Sequence, residues 1–403
     1  MEQPMPQWLD GNHMDPKWVE KATGISCTSC LAADISNEGR KSKGDVKDGA
    51  TLRLTLEGDK SSMTMVVKQV TESHGTGMSK MLGLSREALF YNQLSNDLPA
   101  SLIPKIHYSY GNYETGEKVV IMEDLRNTID SGILFGPGNP NNWKRDLPNL
   151  IADKFGAAKP PSSQQVAMVT FVQAAKVHAT YWKSTALLTN DKTWLRGQNW
   201  LQGQGQESWQ ASQGMLQNWW KNYLETEADQ PVLTSWDPNV RKATEKAIQG
   251  ISWKSQLERL NTDGHFTLVH GDFWPGNFMW VCDAASKSQI KMIDWEMVGL
   301  GSGPQELGQY IISNMDPAER RACEKELVEA YYKELQTHLQ DKCCSWEYCW
   351  SEYQVGGVER WLWFLVYFIG NGMSDWAQFF HDQISEFMKD HNLSAEQITQ
   401  PRP

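Results

Sequence analysis

The sequence predicts an α+β protein of two lobes, a small antiparallel β lobe over residues 1–125 and a larger, mainly helical lobe over residues 126–403. Three observations support this prediction. A chain of 403 residues is longer than one ordinary domain. Segments in which apolar and polar residues alternate, as they do in strands, are concentrated in the first lobe. Segments with the periodicity of helices follow one another in the second lobe.

The first lobe is predicted to combine a mostly antiparallel sheet with one helix. A short helix over residues 15–24 precedes the sheet, because Asp15 is a suitable N-cap and Gly24 a suitable stop. Residues 39–49 carry three spaced glycines but no GxGxxG pattern. The strands are predicted at residues 31–36, 51–58, 63–70 and 118–125, and the helix, with Ser85 as its N-cap, at residues 85–95.

The second lobe begins with a long irregular connection, residues 126–165, which is rich in Gly, Pro and Asn. Helices are predicted at residues 164–183, 239–260, 316–339 and 356–372. The third of them begins with a capping-box pattern, in which Asp316 precedes Pro317 and Glu319. Three short strands are predicted between the second and third helices, at residues 266–270, 277–281 and 290–295.

The composition argues against nucleic-acid binding, secretion and a membrane span. A formal net charge of -11 and a pI of about 5.4 disfavour nucleic-acid binding. The N-terminus lacks the basic and apolar regions of a secretory signal, and the longest apolar run, residues 361–369, is far shorter than the roughly 20 residues of a membrane span. Seven scattered cysteines favour free thiols in a reducing compartment. We therefore expect a cytoplasmic protein without a membrane span, whose oligomeric state the sequence leaves open.

The stretch LVHGDFWPGNFMW, residues 268–280, carries the main chemical signal. It places His270, Asp272 and Asn277 in a segment that two glycines and a proline keep from being helical. The predicted strand that follows ends at Asp294. An Asp followed five positions later by an Asn, with a separate Asp for the metal, is the arrangement of the protein-kinase catalytic loop. Asn277 and Asp294 offer the oxygen ligands that suit Mg²⁺, whereas Asp272 is left to accept a proton.

A lysine and a glutamate complete this set. Lys68 lies in the otherwise apolar centre of a predicted strand, and Glu87 lies near the start of the following helix. Such a pair can hold the α- and β-phosphates of ATP. Structural alternatives remain open: Lys68 as a solubility charge on an edge strand, Glu87 as a favourable charge at a helix N-terminus, and the loop as a capped turn. His270 is expected to be a structural hydrogen-bonding residue.

Three departures argue against a protein kinase. The loop has Gly271 where protein kinases have Arg, and the metal motif is Asp294-Trp295-Glu296 instead of Asp-Phe-Gly. No Ala-Pro-Glu motif follows. A non-catalytic ligand binder that retains the fold is the second alternative. The poorly matched glycine segment favours it, and the intact Lys68, Asp272, Asn277 and Asp294 argue against it.

The two motifs resemble those of the aminoglycoside-phosphotransferase and choline-kinase superfamily, and most of all its ecdysteroid-kinase-like (CHK kinase-like) branch. The resemblance rests on LVHGDFWPGNFMW and on IKMIDWEMVGLGSGPQELGQYI, and it extends over residues 15–380. VIMEDL resembles the hinge of that branch, and AAKVHATYWK, which contains His178, resembles one of its helices. His178 is expected to lie in the core or to support the loop. Glu306 stands where many members have Asp.

The resemblance implies a bilobal protein-kinase-like fold and a small-molecule kinase that uses ATP and Mg²⁺. Asp272 would accept or orient the substrate hydroxyl, Lys68 oriented by Glu87 would bind phosphates, and Asn277 with Asp294 would hold Mg²⁺. The adenine would contact the hinge residues, which are Met122, Glu123, Asp124 and Leu125.

The acceptor is expected to be a small molecule with a hydroxyl, and more particularly a bulky, apolar alcohol of the ecdysteroid or sterol type. The helical lobe is rich in aromatic residues, from which Trp361, Trp363 and Tyr367 are the candidate substrate contacts, although packing in the core is the alternative for this group. Choline-type and aminoglycoside-type acceptors are the alternative substrates.

Overall fold

The computed structural model describes residues 4–35, 50–58, 61–72, 75–195, 205–226, 236–250, 265–282 and 290–399. The glycine segment 39–49 and the second half of the helix predicted at 239–260 lie outside these residues. The chain divides into two compact units. The first unit comprises Met1–Arg126 and Ile293–Met297, and the second unit comprises Asn127–Met292 and Val298–Pro403.

The first unit is built on a five-stranded antiparallel sheet with the spatial order β1-β2-β3-β5-β4. Its strands are β1 (Ser29–Asp34), β2 (Thr51–Glu57), β3 (Ser62–Val70), β4 (Ile106–Gly111) and β5 (Lys118–Glu123). Its helices are α1 (Pro16–Thr23), α2 (Thr76–Leu82) and α3 (Arg86–Gln93). As predicted, Asp15 caps α1 by accepting from the Lys17 backbone N–H, and Gly24 ends it at a φ of 74°.

The two faces of this sheet differ because neighbouring side chains of a strand point to opposite sides. On one face, apolar side chains of β1, β2, β3 and β5 form a core with α1. This core contains Met14, Trp18, Val19, Cys30, Ala32, Leu52, Leu54, Leu56, Met65, Val67, Val119 and Ile121. The register pairs Lys68 with Val120 and Val70 with Lys118, so both lysines project from the opposite face of the sheet.

The segment 293–297 joins the first unit through an aromatic stack. Trp295 is fully buried, and its ring lies 4.1 Å from that of Phe90 on α3, at an interplanar angle of 14°. This stacked arrangement is favourable beyond its area of burial. The stack fixes the residues on either side of Trp295, which are Asp294 and Glu296, next to α3.

The second unit is mainly helical. Its helices are α4 (Leu147–Phe155), α5 (Ser163–Thr180), α6 (Gly205–Glu225), α7 (Pro238–Gln249), α8 (Gly303–Asn314), α9 (Pro317–Leu339), α10 (Trp346–Ser351), α11 (Gly357–Gly370), α12 (Ser374–Asp390) and α13 (Ala395–Thr399). Its short strands are β6 (Thr128–Asp130), β7 (Phe266–Val269), β8 (Phe278–Val281), β9 (Ile290–Met292) and β10 (Gly299–Ser302). They form the antiparallel sheets β10-β7 and β6-β8-β9. The predicted α+β class is thereby confirmed.

Helix α8 crosses the second unit without an exposed residue. It approaches the segment before α11 so closely that a Cβ on Gly308 would lie 2.3 Å from the Tyr353 carbonyl oxygen and 2.7 Å from the Gly357 Cα. This backbone contact requires a glycine at both positions, Gly308 and Gly357. Every face of α8 is buried, including its polar residues Gln305, Glu306 and Gln309, so these residues do not mark a solvent face, and the helix was not predicted.

Several elements differ from the sequence predictions. Helix α2 was not predicted, because seven residues that include Gly77 have weak helical propensity. The side chain of Ser85 makes no capping hydrogen bond to α3. Asp316 caps α9, but the side chain of Glu319 accepts from Ser163 at the start of α5, so the expected reciprocal capping box is replaced by a contact between helices. Among the described residues, no helix combines the length and apolar character needed to cross a bilayer.

Candidate active site

The loop that follows β7 is compact and is fixed by its own side chains. Gly271 has a φ of 85°, a conformation that favours glycine. The Asn277 side-chain nitrogen donates to the backbone oxygen of Asp272 and to its carboxylate Oδ2, both at 2.9 Å. The structure therefore brings Asp272 and Asn277 together. Because the side-chain nitrogen of Asn277 donates to Asp272, the amide oxygen of Asn277 is the atom that could bind a cation.

Glu306 on α8 holds the backbone of this loop. Its buried carboxylate accepts the Gly271 N–H at 2.7 Å and the His270 N–H at 3.1 Å. Burial by itself would raise the pKa of Glu306. The hydrogen bond from His178 and the electrostatic interactions with His178, His270 and Arg360 outweigh burial, so the pKa lies below its ordinary value of 4.5.

Two further buried residues complete this support. His178 on α5 lies with Nε2 3.1 Å from Glu306 and Nδ1 2.9 Å from the Tyr331 hydroxyl. Arg360 on α11 donates to the Gly271 carbonyl oxygen and, at 2.6 Å, to Gln309. The peptide units around Gly271 are thus held at their N–H groups by a carboxylate and at a carbonyl by a guanidinium. This clamp fixes the position of Asp272.

The contacts of His270 are with the loop backbone and with neighbouring rings. Its Nδ1 accepts the backbone N–H of Asp272 at 3.3 Å, and its ring packs beside those of Phe273 and Phe278. The side chain is 1% exposed. These contacts tie the histidine to the loop backbone and to the core below the loop.

In the first unit, Lys68 lies within a cluster of three carboxylates. Its Nζ lies 2.7 Å from Asp294 Oδ1, 2.9 Å from Glu87 Oε2 and 3.4 Å from Glu296 Oε1. Glu87 is fully buried, whereas Lys68 keeps 17% of its side chain exposed. Burial alone would lower the pKa of Lys68, but the charges of Asp294, Glu296 and Glu87 outweigh it and hold the pKa well above its ordinary value.

Asp294 has an unusual backbone conformation. Its φ of 65° lies in the left-handed region, which a non-glycine residue adopts at a cost. This turn ends the strand predicted at residues 290–295 early, at Met292. Carboxylate oxygens of Asp294, Glu87 and Glu296 all lie within 4.8 Å of one another, a donor set of oxygen atoms that suits Mg²⁺.

The predicted hinge residues end the first unit. Met122 is buried, and the backbone N–H of Lys105 donates to the Glu123 carboxylate at 2.9 Å. The carboxylate of Asp124 accepts from the side chains of Arg53 and Arg126, each at 2.9 Å. The acidic side chains of this segment are therefore engaged within the first unit.

The three candidate substrate residues on α11 lie in different surroundings. Trp361 is 4% exposed, stacks on Phe380 at 4.1 Å and donates its indole N–H to the Gln309 carbonyl at 3.0 Å. Trp363 is 5% exposed. Tyr367 is half-buried, with its ring 6.0 Å from that of Trp219. The geometry of Trp361 and Trp363 favours packing in the core, which was the alternative for this group.

The sequence did not point to Lys118 or Arg360. Lys118 is the first residue of β5, 2% exposed, and its Nζ lies 2.8 Å from Glu87 and in hydrogen-bond contact with Glu296. A lysine before the apolar run VVIM was the available signal. Nothing in the sequence near Arg360 indicates its contact with Gly271, which is 89 positions away.

A strand lysine that pairs with a helix glutamate is the arrangement of protein-kinase-like folds. The sequence model of the ecdysteroid kinase-like family matches residues 163–343 of this chain. The match confirms the resemblance suggested by the two sequence motifs. It includes Asp272, Asn277 and Asp294, whereas Lys68 and Glu87 precede the matched residues.

Several solved structures are similar to this chain. A choline kinase from Streptococcus pneumoniae has 11% identity and a TM-score of 0.42 over 84% of this chain and 89% of that chain. A Plasmodium vivax ethanolamine kinase has 10% identity and a TM-score of 0.39 over 90% and 80%. The GDP complex of an aminoglycoside 2'-phosphotransferase has 13% identity and a TM-score of 0.43 over 91% and 94%. Similarity this low adds no functional argument. No curated protein matches the sequence.

The Glu306 clamp predicts a pH-dependent loss of stability in the Glu306→Gln variant. Because folding lowers the pKa of Glu306, its contribution to stability is present above the ordinary pKa of 4.5 and is lost as the pH falls through the folded-state pKa. We expect a loss of about 3–5 kcal/mol in the free energy of unfolding at pH 7, and a smaller difference below pH 4. Denaturant unfolding across this pH range measures it.

The exposed Glu347 provides the matched control for this experiment. Glu347→Gln should change the free energy of unfolding by less than about 0.5 kcal/mol at either pH. A Glu306→Gln variant that is as stable as the parent protein at pH 7 would contradict the clamp.

Proposed function

We propose that this protein is an ATP- and Mg²⁺-dependent phosphotransferase that acts on the hydroxyl of a small molecule. The observation that carries the proposal is the cluster around Lys68. A strand lysine that keeps part of its surface exposed is oriented by a fully buried glutamate. This is the pairing that binds the α- and β-phosphates in protein-kinase-like folds.

Within this proposal, each residue has a role in binding or positioning. Lys68 binds phosphate oxygens, and Glu87 orients it. Asp272, whose loop is clamped by Glu306 and Arg360, accepts or orients the proton of the substrate hydroxyl. The backbone of residues 122–125 contacts the adenine. Catalysis then consists mainly of positioning and charge neutralisation.

Asn277 and Asp294 are the proposed ligands of Mg²⁺. Both offer oxygen atoms, which are the ligands that this ion prefers. That the two residues bind the same ion is inferred from their two sequence motifs. A bound Mg²⁺ would neutralise charge on the transferred phosphoryl group. Asp294 accepts from Lys68 in the structure, so binding of an ion there would release the lysine for phosphate.

The proposed acceptor is a bulky, largely apolar alcohol of the ecdysteroid or sterol type. The match to the ecdysteroid kinase-like family supports this choice. So do the half-buried aromatic side chains of the helical unit, which offer apolar contact while the hydroxyl sets the orientation. These side chains are Trp219, Trp346, Trp350, Tyr367 and Trp376.

The acceptor class can be tested by measuring phosphotransfer from Mg-ATP to a panel of compounds. Steroid alcohols such as ecdysteroids should be phosphorylated, because apolar contact supplies most of their affinity. Choline-type amines and aminoglycosides should give turnover near background. Phosphorylation of choline or an aminoglycoside, with none of the steroid alcohols, would move the chain to one of the alternative acceptor classes.

The Asp272→Asn substitution should lower phosphotransfer by about 10²–10⁴-fold, the usual effect of losing a positioned base. The change is nearly isosteric, and Asn277 can still donate to the oxygen of the new amide. Nucleotide affinity should therefore stay within a few-fold of the parent value. Turnover and ATP titrations measure the two effects, and turnover within threefold of the parent protein would refute the role of Asp272.

The Asp294→Ala substitution should remove the tightening of ATP binding that Mg²⁺ causes. Calorimetric titration of ATP with and without Mg²⁺ checks this result. Asp382→Ala, at an exposed carboxylate of α12, is the control and should retain the effect. If Asp294→Ala retains the full effect of Mg²⁺, Asp294 is not a principal ligand, and Glu296 becomes the candidate.

A further inference from the structure

Lys118 is a second buried lysine beside the proposed phosphate-binding lysine. Its ammonium lies 2.8 Å from Glu87 Oε2 and in contact with Glu296 Oε1. Only 2% of the side chain is exposed, compared with 17% for Lys68. Lys118 is therefore enclosed among its carboxylate partners, whereas part of Lys68 can be reached by a ligand.

The sheet fixes the two lysines relative to each other. Val120 lies opposite Lys68 in the register of β3 and β5, and Lys118 is two positions before Val120 on the same face. Glu87 of α3 lies against both. Lys68 Nζ lies 3.0 Å from Oε1 and 2.9 Å from Oε2, and Oε2 also accepts from Lys118 at 2.8 Å. One fully buried carboxylate thus has two separate cationic partners.

The charges of this cluster are close to balance. Three carboxylates, those of Glu87, Asp294 and Glu296, face two ammonium groups. If Lys118 were absent, Lys68 would be the one lysine of the cluster left to pair with Glu87 and Glu296. The buried Glu87 needs a charged partner, and the partly exposed Glu296 would also attract the remaining lysine, so both would hold Lys68 more tightly and would oppose its contact with phosphate.

We propose that Lys118 is a positioning residue that serves as the permanent counter-ion of Glu87 and Glu296, and so leaves the ammonium of Lys68 available to nucleotide phosphates. The proposal rests on the proposed function of Lys68. Lys118 acts through its two carboxylates and does not itself contact the nucleotide. Its role is to divide the acids of the cluster between two cations, one enclosed and one exposed to ligand.

The test compares ATP affinity in four proteins, which are the parent protein, Lys118→Met, the double variant Lys118→Met with Glu296→Gln, and the control Lys80→Met. Methionine keeps the length and apolar character of the lysine stem but lacks its charge. Lys80 is an exposed lysine of the same unit. Calorimetric titration of ATP is carried out with Mg²⁺ and also with a chelator, because an effect through Lys68 does not need the metal.

We expect Lys118→Met to weaken ATP binding by about tenfold or more, under both conditions, as is typical for coupled buried charges. Lys80→Met should bind like the parent protein. The double variant should recover most of the affinity, because the loss of the Glu296 charge removes one of the two competitors for Lys68. A merely structural role of Lys118 would lower the free energy of unfolding, measured by denaturant unfolding of the same variants, and would leave the ATP affinity of the folded protein unchanged.

Two results would overturn the role of Lys118: ATP affinity within threefold of the parent in Lys118→Met, or no recovery in the double variant. If Lys118→Met does not fold, the single variant Glu296→Gln decides the matter. Glu296 is partly exposed, and its loss should leave ATP binding without metal unchanged or tighter. Weaker binding would overturn the proposal. A parent protein that does not bind ATP would instead refute the proposed function.

Discussion

The carboxylate of Glu87 is the constraint on which the first unit depends. It has no exposure to water, and it accepts from one lysine on β3 and another on β5. A carboxylate in such a place is stable only with charged partners that satisfy its oxygens. The helix α3, two neighbouring strands and the acids of segment 293–297 are therefore tied together by one charge cluster. Within this cluster Glu87 and Lys118 are enclosed, whereas Lys68 keeps 17% of its side chain exposed.

Much of the first unit could be predicted from the sequence, because period-two alternation and the Asp15 and Gly24 caps are local signals. Strand β4 was not predicted, although Ile106, Tyr108 and Tyr110 alternate with polar residues, and in the structure all of its residues are half-buried. Helix α8 was not predicted because its polar residues Gln305, Glu306 and Gln309 are buried, whereas polar residues normally mark a solvent face. Their burial depends on partners elsewhere in the fold, such as Arg360 for Gln309, which a local pattern does not contain.

The candidate site shows the same division between local and long-range information. Asp272 and Asn277 could be found because both lie in one short motif, and Lys68 because a charge interrupts an apolar strand. Lys118 and Arg360 could not be found in this way, because the groups that they contact, Glu296 and the Gly271 carbonyl, are distant in the chain. Such residues become visible only when the fold brings a buried charge next to the backbone or carboxylate that it serves.

The passage of the chain between the units has a consequence for how the protein can be divided. The chain leaves the first unit after residue 126, returns for residues 293–297 and leaves again. A fragment that ends at residue 126 would keep Lys68, Lys118 and Glu87 but would lose both other carboxylates of the cluster. Two ammonium groups would then face a single acid, and Phe90 would lose the ring that covers it. The first unit is thus incomplete as a contiguous piece of sequence, and a cut at its apparent border leaves an excess of positive charge.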